Sequence, residues 1–155
     1  MKIGFGRVDI TPPLGTPVTG GWEGRVAEGI WDPLELNALV LESGGERVAV
    51  VAADLHYMHR VHATEIRERI ARETQLPAES ILLHCLHQHT STTGGIVDVV
   101  GSDYNALLKR KYVDAVRLAI ADLAEATMFA AEKETSEEVS FIRRYRTSCS
   151  ACNIC

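Results

Sequence analysis

The sequence predicts an α/β domain with a mixed sheet, a strand–helix–strand crossover and helices packed on the sheet. Largely apolar runs of strand length lie at 48–53 and 80–86. Between them, Ile66 and Ile70 are spaced for one face of a helix, and the charged residues nearby lie mostly on the other faces: Arg67, Glu68, Arg69, Arg72 and Glu73. Strands that alternate with helices in this order are typical of α/β domains.

The size and composition of the chain are those of one folded domain. The chain has 155 residues, of which 46% are apolar and 24% are charged. This composition excludes disordered, collagen-like and repeat proteins. No apolar run approaches the roughly 20 residues that span a bilayer, and the first residues lack the apolar stretch of a signal peptide. We therefore expect a cytoplasmic protein. The formal net charge of −5 disfavours a nucleic-acid partner, which needs clustered Lys and Arg.

Residues 1–33 are predicted to form a folded loop region rather than a helix. They contain four of the 5 prolines and seven of the 12 glycines in the chain. Flexible linkers are usually short of aromatic residues, whereas this region carries Trp22 and Trp31. The two tryptophans would either line an apolar groove for an acyl chain or cap the sheet.

A β-hairpin is predicted next. Apolar residues over 36–40 and 48–53 flank Gly44 and Gly45, a pair that suits a tight turn between antiparallel strands. The run 48–53 is apolar at every position, which is typical of a strand covered on both faces by helices.

A helix over about 59–75 follows the hairpin and ends before Pro77, and residues 80–86 then form a second strand. Such a unit is almost always a right-handed crossover between parallel strands, so the carboxyl ends of the two strands lie side by side. A longer helix over about 103–126 is predicted from its apolar stripe: Leu108, Tyr112, Val116, Ala119, Ile120 and Leu123. Residues 127–131 and 139–142 are weaker strand candidates.

Polar side chains follow both strands of the crossover. Asp54 and His56 come after the first strand, and His87 and His89 after the second. In open α/β sheets, ligands bind outside the carboxyl ends of the strands. Side chains two residues apart on a strand point to the same side, so both imidazoles of the His-x-His pair can bind one zinc-like metal ion. Asp54 would then be a further ligand or would orient one of the rings. The alternative, polar residues that end a strand and face water, stays open.

Four segments resemble the neutral/alkaline non-lysosomal ceramidase family in order and spacing. They are 5–15 (FGRVDITPPLG), 29–34 (GIWDPL), 52–55 (AADL) and 86–91 (LHQHTS). Over about residues 3–146 the chain resembles the amino-terminal part of such a protein, which implies an incomplete portion of a larger domain. The resemblance assigns residues 1–146 to a ceramidase-like α/β domain and leaves residues 147–155 as an unmatched, Cys-rich tail, truncated or misread.

The resemblance implies a zinc-dependent hydrolase that cleaves the amide of N-acylsphingosine-like lipids. His87 matches the family's zinc ligand, and His89 matches a histidine that lines the active site and assists proton transfer. Residues 90–95 depart from the family, because Thr-Ser-Thr-Thr-Gly-Gly replaces its Ser-Gly-Pro run. We therefore expect His89 and Asp54 to be catalytic and His87 to bind zinc.

The family's remaining zinc ligands and its nucleophilic serine have no counterpart in this sequence. Two protein ligands fall short of the three or four that zinc sites normally use. We therefore expect an incomplete site that binds zinc weakly and does not cleave a lipid amide by itself. The alternative is a non-catalytic α/β binding module or an inert fragment.

Other residues that could carry chemistry have simpler interpretations. Cys149, Cys152 and Cys155 have a spacing used by thiolate metal sites but are one ligand short, and Cys85 suits a core position better than a fourth ligand. Ser91 is expected to bond its own loop rather than act as a nucleophile. The remaining histidines of the first helix are expected to face solvent: His59 and His62.

Overall fold

The structure is a computed structural model that describes residues 1–20, 24–92 and 101–134, with side chains of the last range from Asp103 onward. Its elements, in chain order, are β1 (Lys2–Asp9), β2 (Pro17–Val18), β3 (Arg25–Val26), β4 (Glu35–Ser43), β5 (Glu46–Ala53), α1 (Arg60–Thr74), a 3-10 turn (Ala78–Ser80), β6 (Ile81–Cys85), α2 (Gly101–Ala121) and β7 (Ala124–Glu125).

Five strands form one mixed sheet in the order β6-β5-β4-β1-β7. β5 and β6 are parallel and are joined by α1, whereas the pairs β5–β4, β4–β1 and β1–β7 are antiparallel. The mixed sheet and the crossover that the sequence predicts are therefore confirmed. The small loop strands β2 and β3 form a separate antiparallel pair.

The hairpin and both helices form close to where the sequence predicts them. Gly44 and Gly45 occupy the turn with φ of 62° and 85°, values that glycine adopts without strain and that match a type I′ hairpin turn. α1 begins after His59, whose Nδ1 accepts the Val61 N–H, and ends at Gln75 in the left-handed region.

The helices cover one face of the sheet and form the core with it. α2 packs on β1 and β4, and α1 packs on α2 and β6. Every second residue of the strands points into this layer, where it meets Ile66 and Ile70 of α1 and the predicted stripe of α2. Within that stripe, the fully buried members are Leu108, Tyr112, Val116 and Ala119. Ile120 and Leu123 are partly buried.

Two predictions about strands are wrong. Residues 2–9, predicted as loop, form β1, which lies between β4 and β7 in the sheet. Residues 127–131 form no strand, and the last strand among the described residues, β7, is instead the short segment just before them. The candidate at 139–142 and the cysteine tail lie outside the described residues.

The second face of the sheet is open among the described residues. The run 48–53 alternates between buried and more exposed positions, so the prediction that helices cover both faces of this strand is wrong for the part of the chain that the structure describes. Phe5 is 67% exposed, Leu82 58% and Val48 42%, and the strand register places all three on this face. None of the described helices is long and apolar enough to span a bilayer.

Candidate metal centre at the strand ends

His87 and His89 lie beyond the end of β6, where the backbone turns. β6 ends at Cys85, and His87 has a φ of 63°, so the extended backbone assumed from the sequence does not continue. The turn is held by Leu55, whose carbonyl accepts the N–H groups of His87 at 3.1 Å and Gln88 at 3.3 Å. The ring centroids of His87 and His89 are nevertheless 4.9 Å apart, which confirms that they face the same space.

His56 joins the two predicted histidines as a third member. Its ring centroid lies 4.3 Å from that of His87 and 4.9 Å from that of His89. One nitrogen from each ring can be chosen so that all three lie within 4.8 Å of one another. We call these residues, His56, His87 and His89, the histidine cluster. The parallel pairing of β5 and β6 brings them together, because it places both carboxyl ends at one edge of the sheet.

A hydrogen bond sets the tautomer of His87. Its Nδ1 lies 3.0 Å from the carbonyl oxygen of His56. A carbonyl can only accept, so Nδ1 carries the hydrogen in the neutral ring and Nε2 keeps its lone pair. Metal-binding histidines typically use their second nitrogen in this way, to fix the orientation of the ring. His87 is therefore prepared to coordinate through Nε2.

Burial lowers the pKa of His56, and the neighbouring His87 and His89 lower it further when they are protonated. A lowered pKa keeps the imidazole neutral near pH 7, which is the form that binds metals. Its Nδ1 is buried and has no hydrogen-bond partner among the described residues. A buried polar nitrogen without a partner is unfavourable, so the position suits an added ligand.

The segment between β1 and β4, described over residues 10–20 and 24–34 and called here the glycine-rich loop, contacts the segment that carries His87 and His89. The sequence did not reveal this support. Thr19 donates both its N–H and its hydroxyl to the Ser91 carbonyl, each at 2.9 Å. Arg25 donates to the His89 carbonyl at 3.3 Å. Gly20 packs so closely on His89 that a Cβ there would lie 2.5 Å from its Cγ. The loop therefore holds the segment that carries His87 and His89.

Asp54 lies beside this segment rather than in the histidine cluster. It lines a cleft of about 460 Å³, together with Gln88, Thr90 and the loop residues around Trp31. Its Oδ2 accepts the Glu35 N–H at 2.9 Å, and its own N–H donates to the Glu35 carbonyl at 3.0 Å. Asp54 does not belong to the three-residue group that can share an ion, so its catalytic role stays a prediction.

The contact between Asp54 and Glu35 gives a first testable result. We expect Asp54→Ala to lower the free energy of unfolding by about 1–2 kcal/mol, because it leaves a part-buried N–H without an acceptor. Asp54→Asn keeps an acceptor oxygen at the same place and is expected to stay close to wild type. Urea unfolding of both variants checks this, and an Asp54→Ala protein with wild-type stability would refute it.

Most of the other residues that could carry chemistry have structural or solvent-facing positions instead. Ser91 is buried, and its Oγ lies 3.0 Å from the Gln88 carbonyl, within its own loop. Burial raises the pKa of the Cys85 thiol, which packs against the core. His59 is exposed as expected, whereas His62 is half-buried, 3.9 Å from the Glu65 carboxylate. Trp31 is 98% exposed beside the cleft and caps no part of the sheet.

Trp22 and residues 93–95 lie outside the described part of the chain, as do Cys149, Cys152 and Cys155. The interpretations of these residues therefore stay predictions.

The histidine cluster fits a metal ion by the chemistry of its donors. Three imidazole nitrogens match the preference of zinc and related divalent metals, and three protein ligands leave a fourth position for another molecule. The unpaired Nδ1 of His56 would gain a partner. The arrangement can therefore hold a metal ion and present it to the solvent side, because His87 and His89 are exposed.

The fold matches two solved ceramidase structures. Neutral ceramidase from Pseudomonas aeruginosa aligns with a TM-score of 0.65 and 20% sequence identity, over 79% of this chain and 22% of that chain. A ceramidase complexed with C2 aligns with a TM-score of 0.64 and 21% identity, over 79% of this chain and 21% of that chain. No family model matches the sequence, and no curated protein matches it. The chain thus spans about a fifth of the solved proteins' length and has the fold of a part of a neutral ceramidase.

Proposed function

We propose that this chain forms part of the active site of a zinc-dependent amide hydrolase that acts on N-acylsphingosine-like lipids. Residues 1–146 carry that part. The observation that supports the proposal is the histidine cluster, which lies at the carboxyl ends of two parallel strands in a ceramidase fold. That edge is where α/β sheets place their ligands.

Each residue has a distinct role in the proposal. His87 binds zinc through Nε2, because its Nδ1–H is engaged by the His56 carbonyl. Zinc, when bound, would act as a Lewis acid toward the amide carbonyl. His89, whose ring centroid lies 4.9 Å from that of His87, donates a hydrogen bond to the reacting group or moves its proton. Asp54 holds the start of β4 against the end of β5 and so positions the strand end that carries His56.

The cleft beside Asp54 is a place for the lipid amide next to this site. It combines apolar residues, such as Pro12, Val18 and Ile30, with the polar groups of Asp54 and Gln88. Such a mixture suits an amphipathic molecule that has a polar amide and an apolar chain. The exposed Trp31 at its rim adds a large apolar surface for that chain.

The proposal includes no turnover by this chain alone. The hydroxyl of Ser91, next to the cluster in sequence, is buried and used within its loop. A nucleophile with an adjacent base is needed to cleave an amide by covalent catalysis, and the resemblance assigns that serine to a later segment. This chain would therefore bind zinc and an amide-like ligand without cleaving it.

A hydroxamate tests the proposal, because it offers two oxygens to zinc at the place where an amide carbonyl would lie. We expect a long-chain acyl hydroxamate to bind the zinc-loaded chain, and His87→Ala to weaken that binding by at least about 10-fold. Isothermal titration with and without zinc measures both effects, and hydrolysis of N-acylsphingosine is expected to stay at background.

His84→Ala is the matched control, because His84 lies on β6 but on the open face of the sheet, and we expect it to behave as wild type. Hydroxamate binding that needs neither zinc nor His87 would contradict the proposal and favour a non-catalytic binding module. Cleavage of N-acylsphingosine by this chain would contradict the proposed lack of turnover.

A further inference from the structure

His56 is the member of the histidine cluster to which the resemblance assigns no role. It follows β5 by three residues, and Leu55, next to it, is fully buried. Its N–H donates to the Thr92 carbonyl at 3.3 Å, so its backbone is tied to the far end of the segment that carries His87 and His89. Its position is thus set by the sheet and by that segment together.

The His56 ring is the nearest neighbour of the His87 ring within the cluster. Their centroids are 4.3 Å apart, and the rings are tilted by 40° rather than stacked. Two neutral imidazoles gain little from this arrangement in water, whereas a metal ion between them would coordinate both. The contact alone does not require an ion, so a second observation is needed.

That second observation is the unpaired nitrogen of His56. Its Nδ1 is buried and lacks a hydrogen-bond partner among the described residues, while its backbone carbonyl engages Nδ1 of His87. Leaving a buried ring nitrogen unpaired is unfavourable, because the nitrogen loses its bond to water and gains none in return. One residue therefore both orients the predicted zinc ligand and presents a buried nitrogen of its own with nothing to bind.

We propose that His56 is a ligand of the same metal ion as His87. This inference rests on the proposed function and extends it, because it assigns to this chain a second ligand that the ceramidase resemblance does not provide. The two imidazoles come from the ends of adjacent parallel strands, and His89 lies beside them with a nitrogen within 4.8 Å of each.

The geometry requires a modest contraction. Zinc–nitrogen bonds of about 2.0–2.1 Å place two ligands of a tetrahedral site about 3.4 Å apart. One nitrogen of each ring lies within 4.8 Å of one nitrogen of each other ring, so these three nitrogens would approach one another by about 1.4 Å at most when the ion binds. Rotation about the side-chain bonds would provide this movement.

Zinc affinity of the full chain tests the assignment. We expect His56→Ala and His87→Ala each to weaken zinc binding by at least about 10-fold, as measured by competition with a chromophoric chelator. We expect His84→Ala to bind zinc as wild type does. The Co²⁺ absorption spectrum gives a second readout, and the d–d bands of the wild-type complex are expected to disappear in both variants.

A second variant separates coordination from packing. His56→Phe keeps a ring of similar shape and retains the backbone carbonyl that orients His87, but it has no nitrogen to coordinate. We expect it to lose zinc affinity as His56→Ala does, while its unfolding midpoint without metal stays near wild type. Zinc is expected to raise that midpoint in wild type and not in His56→Phe.

The outcomes distinguish this inference from the proposed function. If His87→Ala loses zinc while both His56 variants bind it as wild type does, His56 is not a ligand and the zinc role of His87 stands. If the His56 variants lose zinc and His87→Ala does not, both assignments fall. If the wild-type chain binds zinc no more tightly than His56→Phe, the inference is overturned.

Discussion

Replacing Gly6 with alanine is expected to destabilise the fold of this chain strongly. Gly6 lies in β1, and α2 crosses it so closely that a Cβ would lie 2.0 Å from the Ala115 carbonyl oxygen and 2.8 Å from the Ala119 nitrogen. Both atoms belong to the helix backbone, so no side-chain rotation can relieve the overlap. The helix would have to move away from the sheet along its length.

The expected loss is at least about 4 kcal/mol, above the usual range for overpacking, because the core is close-packed and the obstacle is rigid. Domains typically have a total stability of about 5–15 kcal/mol, so this loss would remove most of the stability of a domain at the lower end of that range. Urea unfolding followed by circular dichroism measures the effect. Gly4→Ala is expected to behave alike, since its Cβ would lie 2.0 Å from the Ala119 carbonyl oxygen.

Gly29→Ala is the control, because it makes the same chemical change at a loop glycine where a Cβ meets nothing within 4 Å. We expect its stability to stay within about 0.5 kcal/mol of wild type. A Gly6→Ala protein as stable as Gly29→Ala would show that α2 does not pack against β1 at this distance.

The same glycines explain why β1 was not predicted from the sequence. Glycine is unfavourable inside a strand, and residues 1–33 contain seven of the 12 glycines of the chain. The segment is therefore predicted to be a loop. Positions 4 and 6 require glycine, because the backbone of a helix about 110 residues later in the sequence packs directly on them. That requirement is non-local. The hairpin and the crossover were predictable because their turn residues and apolar periods are local.

In the candidate site, too, some features could be predicted from local sequence and others could not. The sequence places Asp54, His87 and His89 at strand ends, and the parallel pairing of β5 and β6 accounts for the meeting of the two histidines with His56. The turn at His87 and the direction of Asp54 depend on backbone partners, the carbonyl of Leu55 and the N–H of Glu35. No local pattern indicates such partners, so these details could not be predicted.

Gly20→Ala is expected to disturb the histidine cluster directly, although Gly20 lies outside it. Gly20 has a φ of 87°, and a Cβ there would lie 2.5 Å from Cγ, 2.6 Å from Cβ and 2.7 Å from Cα of His89. Alanine therefore adds backbone strain and also displaces His89, including its main chain. We expect a loss of about 3 kcal/mol in the free energy of unfolding, the sum of these two effects.

Gly15→Ala separates the two effects. Gly15 has nearly the same backbone angle, a φ of 83°, but a Cβ there meets nothing within 4 Å. It should therefore show the strain alone, about 1 kcal/mol, because only the left-handed conformation opposes the side chain. Amide chemical shifts of residues 87–92 should change in Gly20→Ala and stay unchanged in Gly15→Ala. Equal losses of stability in the two variants, with no shift changes near His89, would mean that the glycine-rich loop does not hold the histidine cluster in place.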